Sequence, residues 1–159
     1  MGIELERKFL VSSDEWRSAG RAVHFRQAYL ATGPPVAVRV RVMEGQAYIN
    51  IKKSTTDIMR EEFEYPIPLR DGEKILEGLC VGSTIEKTRH YVEHEGFVWE
   101  IDEFEGVNAG LVVAEAEFEH EDQVIPLPPW IGKEVSSNPR HLNANLALKP
   151  YSQWEPDTA

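Results

Sequence analysis

Cysteine is close to absent: Cys80 is the single one in 159 residues. No intrachain disulfide can therefore staple the fold, and the chain is expected to be a reduced, cytoplasmic protein. Positive charge is also scarce, with 17 Lys and Arg against 27 Asp and Glu and a net charge of −10. Nucleic acid selects basic surfaces, so no nucleic-acid partner is expected. An anionic small molecule stays compatible with this balance, provided cations screen its site. Apolar runs are broken by charges well before the length of a membrane span, and the first residues lack the basic-then-apolar layout of a secretory signal. No GxxxxGK[ST] loop is present, which removes that route to phosphate. His24, His90, His94, His120 and His141 stand in no zinc-ligand spacing with the cysteine and read as surface or cap residues. Nothing suggests a Ser-His-Asp triad, an internal repeat or a linker. One domain over 1–150 with a short tail over 151–159 is the expected organisation.

What is abundant is alternation of period two, the signature of strands. It predicts strands at about 3–10, 23–31, 36–43, 46–53, 58–68, 84–94, 97–104 and 112–119. Glu44-Gly45 and Glu95-Gly96 suit tight hairpins, and Gly33-Pro34-Pro35 separates the second strand from the third. Strands joined so closely must run antiparallel. Three short helices are expected between them. Ser12 and Glu15 stand in capping-box spacing for one over 13–19. Asp71 could cap a second, with Ile75, Leu76 and Leu79 as its apolar face. Asn138-Pro139 would open a third that carries Leu142 and Leu146 and closes at Lys149-Pro150.

The alternation carries charge with unusual regularity. Glu4, Glu6 and Lys8 share one face of the first strand, with Ile3, Leu5 and Phe9 on the other. Arg39 and Arg41, Glu62 and Glu64, Lys87 and Arg89, Glu100 and Asp102, and Glu115 and Glu117 repeat the pattern, and Lys52 follows Asn50 on its strand. Side chains two residues apart leave a strand about 7 Å from one another. Repulsion within a like-charged doublet is then about 0.6 kcal/mol in water and about 2.4 kcal/mol at a protein-like dielectric of about 20. Any one doublet is most simply a wet strand face; seven strands repeating it point to a charged interior. The expected fold is mainly β (α+β): a closed eight-stranded antiparallel barrel, a tunnel with a charged lumen, its apolar faces turned outward and partly covered by the short helices.

Glu4-Leu5-Glu6-Arg7-Lys8 matches the Glu-x-Glu-x-Lys signature of the CYTH superfamily, the triphosphate tunnel metalloenzymes. Arg39-Val40-Arg41, Lys52, Arg60 with Glu62 and Glu64, Lys87-Thr88-Arg89, Glu100-Ile101-Asp102 and Glu115-Ala116-Glu117 follow in the order that family shows. Asn138-Pro139-Arg140-His141-Leu142-Asn143 looks like its C-terminal helix start, with His141 where many relatives carry Tyr. The resemblance covers about residues 1–150. It implies a tunnel that binds small-molecule triphosphates with Mg²⁺ or Mn²⁺, and, for short chains of this kind, hydrolysis of inorganic tripolyphosphate. A class IV-type adenylate cyclase, a nucleoside or thiamine triphosphatase, and a non-catalytic polyphosphate-binding module are the alternatives; a homodimer is left open.

Phosphoryl transfer needs neutralisation and alignment more than covalent chemistry. Lys8, Arg39, Arg41, Lys52, Lys87 and Arg89 are the candidates to hold phosphate oxygens, with Lys8, Lys52, Lys87 and Arg89 nearest the reaction. Hard carboxylate oxygens suit Mg²⁺ or Mn²⁺, so Glu4, Glu6, Glu115 and Glu117 are assigned to a first ion. Glu62, Glu64, Glu100 and Asp102 would complete that shell, hold a second ion or balance the bases. Tyr29, beside Phe25 and Gln27, could face the lumen or pack in a core.

Overall fold

Strands whose two faces are both specified, one by charge and one by apolar side chains, need two different environments. Closing the sheet supplies both. The computed structural model describes residues 2–18 and 20–155. Its strands are β1 (Gly2–Val11), β2 (Arg21–Ala31), β3 (Val36–Met43), β4 (Gln46–Ser54), β5 (Met59–Ile67), β6 (Val81–His94), β7 (Phe97–Phe104), β8 (Val112–Phe118) and β9 (Ile131–Glu134). Helix α1 (Leu69–Gly78) lies between β5 and β6, and α2 (Asn143–Leu148) follows β9. The sheet order is β5-β4-β3-β2-β6-β7-β8-β1-β9, and β1 also pairs with β5, so eight strands form a closed antiparallel barrel. All eight expected strands are present. At the Glu44-Gly45 and Glu95-Gly96 hairpins both central residues have positive φ, 49° and 72° in the first and 50° and 76° in the second. Such turns match the right-handed twist of the flanking strands.

One edge of β1 serves two partners in turn. Gly2 to Leu5 pair with Glu62 to Met59 of β5. Further along, Phe9 and Val11 pair with Glu134 and Ile131 of β9, with a bulge between the two pairs. Its other edge pairs with β8 from Leu5↔Phe118 to Leu10↔Val113. The ninth strand was not expected from the sequence. It is four residues long, follows the proline-rich 126–129 stretch and has no clear alternation. Gly132 allows a close approach there, since a Cβ would lie 3.1 Å from the Leu10 carbonyl oxygen.

The apolar faces do point outward, and they are covered. Leu5, Phe9, Trp99, Ile101, Ala114, Ala116 and Phe118 form an outer core over β1, β7 and β8, capped by Trp16, Ile125 and Trp130. Trp99 meets Phe9 and Trp130 edge-on, at 5.6 and 5.9 Å between ring centres. Helix α1 lies on the outer face of β3 and β4, where a Cβ on Gly72 would approach the Ala47 Cβ to 2.4 Å.

The helices differ from expectation in three respects. Over 13–19 the chain makes only a 3-10 turn, Glu15–Ser18 (residue 19 lies outside the described residues). Ser13 Oγ, not Ser12, accepts from the Glu15 N–H. Helix α1 starts at Leu69 after Pro68, so Asp71 sits inside its first turn near the positive end of the dipole and does not cap; Leu79 lies past its end and is exposed. The third helix is split at Leu142 into a 3-10 turn, Pro139–His141, and α2, although Asn138 does cap by accepting from the Arg140 N–H. Helix α2 also does not cover an outer face. Its Leu146 and Ala147 pack with Tyr29, Ile85, Phe104, Leu111 and Val113. Tyr29, Ile85, Phe104 and Val113 share the inward faces of Gln27, Lys87, Asp102 and Glu115, so α2 fills one end of the bore. Gly82 makes that seat available, since a Cβ there would lie 2.3 Å from the Ala147 carbonyl oxygen.

Candidate functional site in the charged bore

The charged faces line a cavity of about 690 Å³ inside the barrel. Glu4, Glu6, Glu62, Glu64, Glu100, Glu115 and Glu117 line it together with Lys8, Arg39, Arg41, Lys52, Arg60, Lys87 and Arg89. Asp102, fully buried beneath them, belongs to the same network. The inversion inferred from the doublets is therefore present, with Glu6, Lys8, Arg39, Arg60, Lys87, Arg89 and Glu115 buried and Glu64 and Glu117 open to solvent.

The two signs are not evenly mixed. On the β1–β8 wall, carboxylate oxygens of Glu4, Glu6 and Glu117 come within 4.8 Å of one another, an arrangement that a divalent cation could join. Next to it Lys52 Nζ lies 3.4 Å from Glu4 and 3.2 Å from Glu62, and Arg60 lies 3.4 Å from Glu6. Asn50 donates to both Glu62 and Glu64. Glu115, grouped with the cation ligands from sequence, is drawn elsewhere: it takes Lys8 Nζ at 3.3 Å and Arg89 Nη2 at 3.4 Å. Asp102 is committed further still. It receives both forks of Arg89 at 2.7 and 2.9 Å and Lys87 Nζ at 2.6 Å. In this geometry both are bonded to lysine and arginine, whereas Glu4, Glu6 and Glu117 converge on one another.

On β3, across the barrel from that wall, Arg39 and Arg41 stand differently. Among the described residues no carboxylate comes within ion-pair distance of either. Arg39 is 6% exposed and its Nε has no hydrogen-bond partner. Arg41 donates from Nε to Gln27 at 2.8 Å and stacks its guanidinium 4.4 Å from the centre of the Phe25 ring. Burial, then repulsion from Arg39 and Arg89, pushes Arg41 down to about 9, which still leaves it cationic at neutral pH. A buried cation without a counter-charge costs several kcal/mol unless a ligand supplies one.

Proton affinities report the same strain on the acid side. Burial pushes Glu4 up to about 8 and Glu100 up to about 7, against the opposing pull of Lys52 and Arg89. Glu62 goes the other way: against burial, Lys52 and hydrogen bonds including that from Asn50 bring it down to about 2. The Glu4 and Glu100 values lie above the ordinary 4.5, so the folded chain keeps protons that the unfolded chain releases. Their stabilising protons are fully in place below about pH 4.5 and are lost as pH rises towards 8. A divalent cation would replace them. Added Mg²⁺ is accordingly expected to raise the melting temperature more at pH 8.5 than at pH 6. Equal shifts at both values, read by differential scanning fluorimetry, would show that protons and cation do not compete there.

All fourteen residues singled out in the sequence lie in this network. Four participants were given no role in the site, although Arg60 was named within the resemblance. Arg60 shares the inward face of Glu62 and Glu64, so its signal was present in the alternation. Gln27, Asn50 and Asn143 carry no charge, and nothing in the sequence distinguishes them from ordinary polar residues. Tyr29 fills both roles considered for it: it lines the cavity and packs in the apolar plug. His24 and His120 are exposed as expected, whereas His141 is buried edge-on against Trp154, 5.2 Å between ring centres.

A charged barrel interior, in which Arg39 and Arg41 lack carboxylate partners and face a carboxylate cluster, has the chemistry of a tunnel for a polyanion. Residues 2–151 match the CYTH domain, and the chain belongs to that family. It is 45% identical over 155 residues to an inorganic triphosphatase of Acetivibrio thermocellus, covering 98% of this chain and 99% of that protein. It is 36% identical over 149 residues to an inorganic triphosphatase of Nitrosomonas europaea, covering 91% and 97%. A crystal structure described as the inorganic triphosphatase NE1496 superposes with a TM-score of 0.67 at 33% identity, over 91% of this chain and 94% of that one. Among the described residues, no helix is long and apolar enough to cross a membrane.

Proposed function

We propose that this protein is a cytoplasmic, divalent-metal-dependent triphosphatase that hydrolyses inorganic tripolyphosphate to pyrophosphate and phosphate. The observation that carries this reading is the pair of buried Arg39 and half-buried Arg41, both without carboxylate partners, in a bore whose opposite wall gathers Glu4, Glu6 and Glu117. A pure anion binder would gain nothing from that carboxylate cluster. A pure cation site would not carry the arginines.

In this proposal Arg39, Arg41, Lys8, Lys52, Lys87 and Arg89 line the path of the phosphate chain, the arginines with bidentate forks and the lysines as point charges. Glu4, Glu6 and Glu117 would hold Mg²⁺ or Mn²⁺, with Glu62, Glu64 and Glu100 close by. When bound, such an ion supplies charge neutralisation on phosphate oxygens and acidifies a water. The chain's own side chains orient the polyanion and offset the charge that spreads over the transferred phosphoryl group, which is most of what this chemistry requires. Asp102 and Glu115 keep Lys87, Arg89 and Lys8 fixed in place beforehand, so little reorganisation accompanies the reaction.

Purified protein with tripolyphosphate, pyrophosphate, ATP and thiamine triphosphate, each with Mg²⁺, Mn²⁺ or EDTA, tests the reading. Metal-dependent phosphate release fastest from tripolyphosphate is expected. Cyclic AMP from ATP would replace it with a cyclase, and tight binding without turnover under every metal would replace it with a binding module. A sharper check is Arg39→Leu. Because Arg39 has no partner to orphan, this change should weaken tripolyphosphate binding about thirtyfold without lowering the melting temperature. Unchanged affinity by calorimetry would take Arg39 out of the phosphate path.

A further inference from the structure

The plug at one end of the bore carries a polar residue that reaches the charged network. Asn143, the first residue of α2, is 9% exposed and turns its carboxamide into the charged network. Its Oδ1 accepts from Lys87 Nζ at 3.0 Å and from Gln27 Nε2 at 2.9 Å. Gln27, fully buried, accepts from Arg41 Nε through its own Oε1 at 2.8 Å. The direction of every bond in this chain is forced from both ends. Lysine and arginine can only donate, so Asn143 must face Lys87 with oxygen and Gln27 must face Arg41 with oxygen. That leaves the Gln27 amide nitrogen for Asn143. Two neutral amides thus join two cations that lie on different strands.

We propose that Asn143 is a positioning residue for the phosphate-holding cations, acting through Lys87 directly and through Arg41 by way of Gln27. The inference rests on the triphosphatase reading of the bore and adds to it a part for α2: the helix sets where these cations stand as well as closing the barrel end. An uncharged acceptor suits this role better than aspartate. It orients Lys87 without adding a second negative charge beside an ammonium that already bonds Asp102 at 2.6 Å.

The test is binding of tripolyphosphate in EDTA, which reads the protein's own cations, by calorimetry on the full chain. The parent, Asn143→Leu, Lys87→Met and the double variant would be compared, with melting temperatures measured alongside. Asn143→Leu is expected to weaken binding about tenfold and, because it orphans the buried Gln27 amide nitrogen, to lower the melting temperature by a few degrees while the chain stays folded at the assay temperature. In the Lys87→Met background the same change should cost under about threefold, because its main route of action has been removed. A second variant, Asn143→Asp, keeps the acceptor and the shape but places a negative charge beside Lys87, and should bind more weakly than Asn143→Leu. Equal costs of Asn143→Leu in both backgrounds, or parental affinity in either Asn143 variant, would overturn the positioning role. A parent chain that neither binds tripolyphosphate in EDTA nor releases phosphate from it with Mg²⁺ or Mn²⁺ would overturn the triphosphatase reading and this inference with it, whereas turnover with metal but no binding in EDTA would overturn this inference alone.

Discussion

Replacing Glu4 with glutamine is expected to remove metal-dependent turnover by about a thousandfold while leaving the metal-free fold at least as stable as the parent. The two halves have one cause. Burial pushes the Glu4 carboxyl up to about 8, so at neutral pH without a cation it already carries a proton. Glutamine has the same shape and is neutral, and it relieves the tension with Glu6 and Glu62 at higher pH. With a cation present the balance reverses, because an amide oxygen is a poorer ligand than a carboxylate and the Glu6 and Glu117 pair is left with one partner fewer. A metal ion contributes several kcal/mol of charge stabilisation to reactions of this class, and about 4 kcal/mol is a thousandfold in rate. Steady-state rates across a Mg²⁺ titration, with thermal melts in EDTA, measure both halves. Near-parental rates would remove the β1 carboxylates from the reaction.

The second large effect concerns stability. Arg89→Met takes from Asp102, which is 0% exposed, both guanidinium bonds at 2.7 and 2.9 Å. Lys87 remains at 2.6 Å, but burial already pushes that lysine down to about 7, so it is a weakened counter-charge. Removing one partner of a buried ion pair costs about 3–5 kcal/mol, roughly 10 °C of melting temperature for a domain of this size. Glu115 and Glu100 lose the same neighbour, at 3.4 Å each. The contrast with Arg39→Leu is the useful part. Both arginines are buried in one cavity, yet one is tied to acids and the other to none. If Arg89→Met melted with the parent, the Asp102 network would not be what supports the bore.

Much of the barrel can be read directly from the chain, because a period of two with charge on one phase gives strand, face and direction together. Glu4, Glu6 and Lys8 announce an inward face as clearly as Leu5 and Phe9 announce an outward one. The turns are legible for a similar reason: Glu-Gly pairs between strands leave few ways to reverse. Legibility fails where tertiary contacts decide. Strand β9 exists because β5 parts from β1 after Leu5 and leaves its edge open, which no local signal at 131–134 reveals. The capping residue moves from Ser12 to Ser13 because Ser12 is tied to the 129–130 stretch through its backbone N–H and its hydroxyl. Helix α2 changes from a cover to a plug because Ile85, Phe104 and Val113 place apolar side chains on faces that are charged a few residues away. Within the site, charge alone named the ionic residues, but not that Asp102 and Glu115 are bound to lysine and arginine while Glu4, Glu6 and Glu117 converge. That division depends on which strands become neighbours.

The joins between strands are unequal in length. β3 and β4 are laced from Val36↔Lys53 to Met43↔Gln46, whereas β1 and β5 meet only from Gly2↔Glu62 to Leu5↔Met59. A hoop of staves gives way at its short seams, and this one carries Glu4 and Glu62, facing each other over the same Lys52 ammonium. Whatever charge settles among them therefore also governs how firmly the cylinder stays shut.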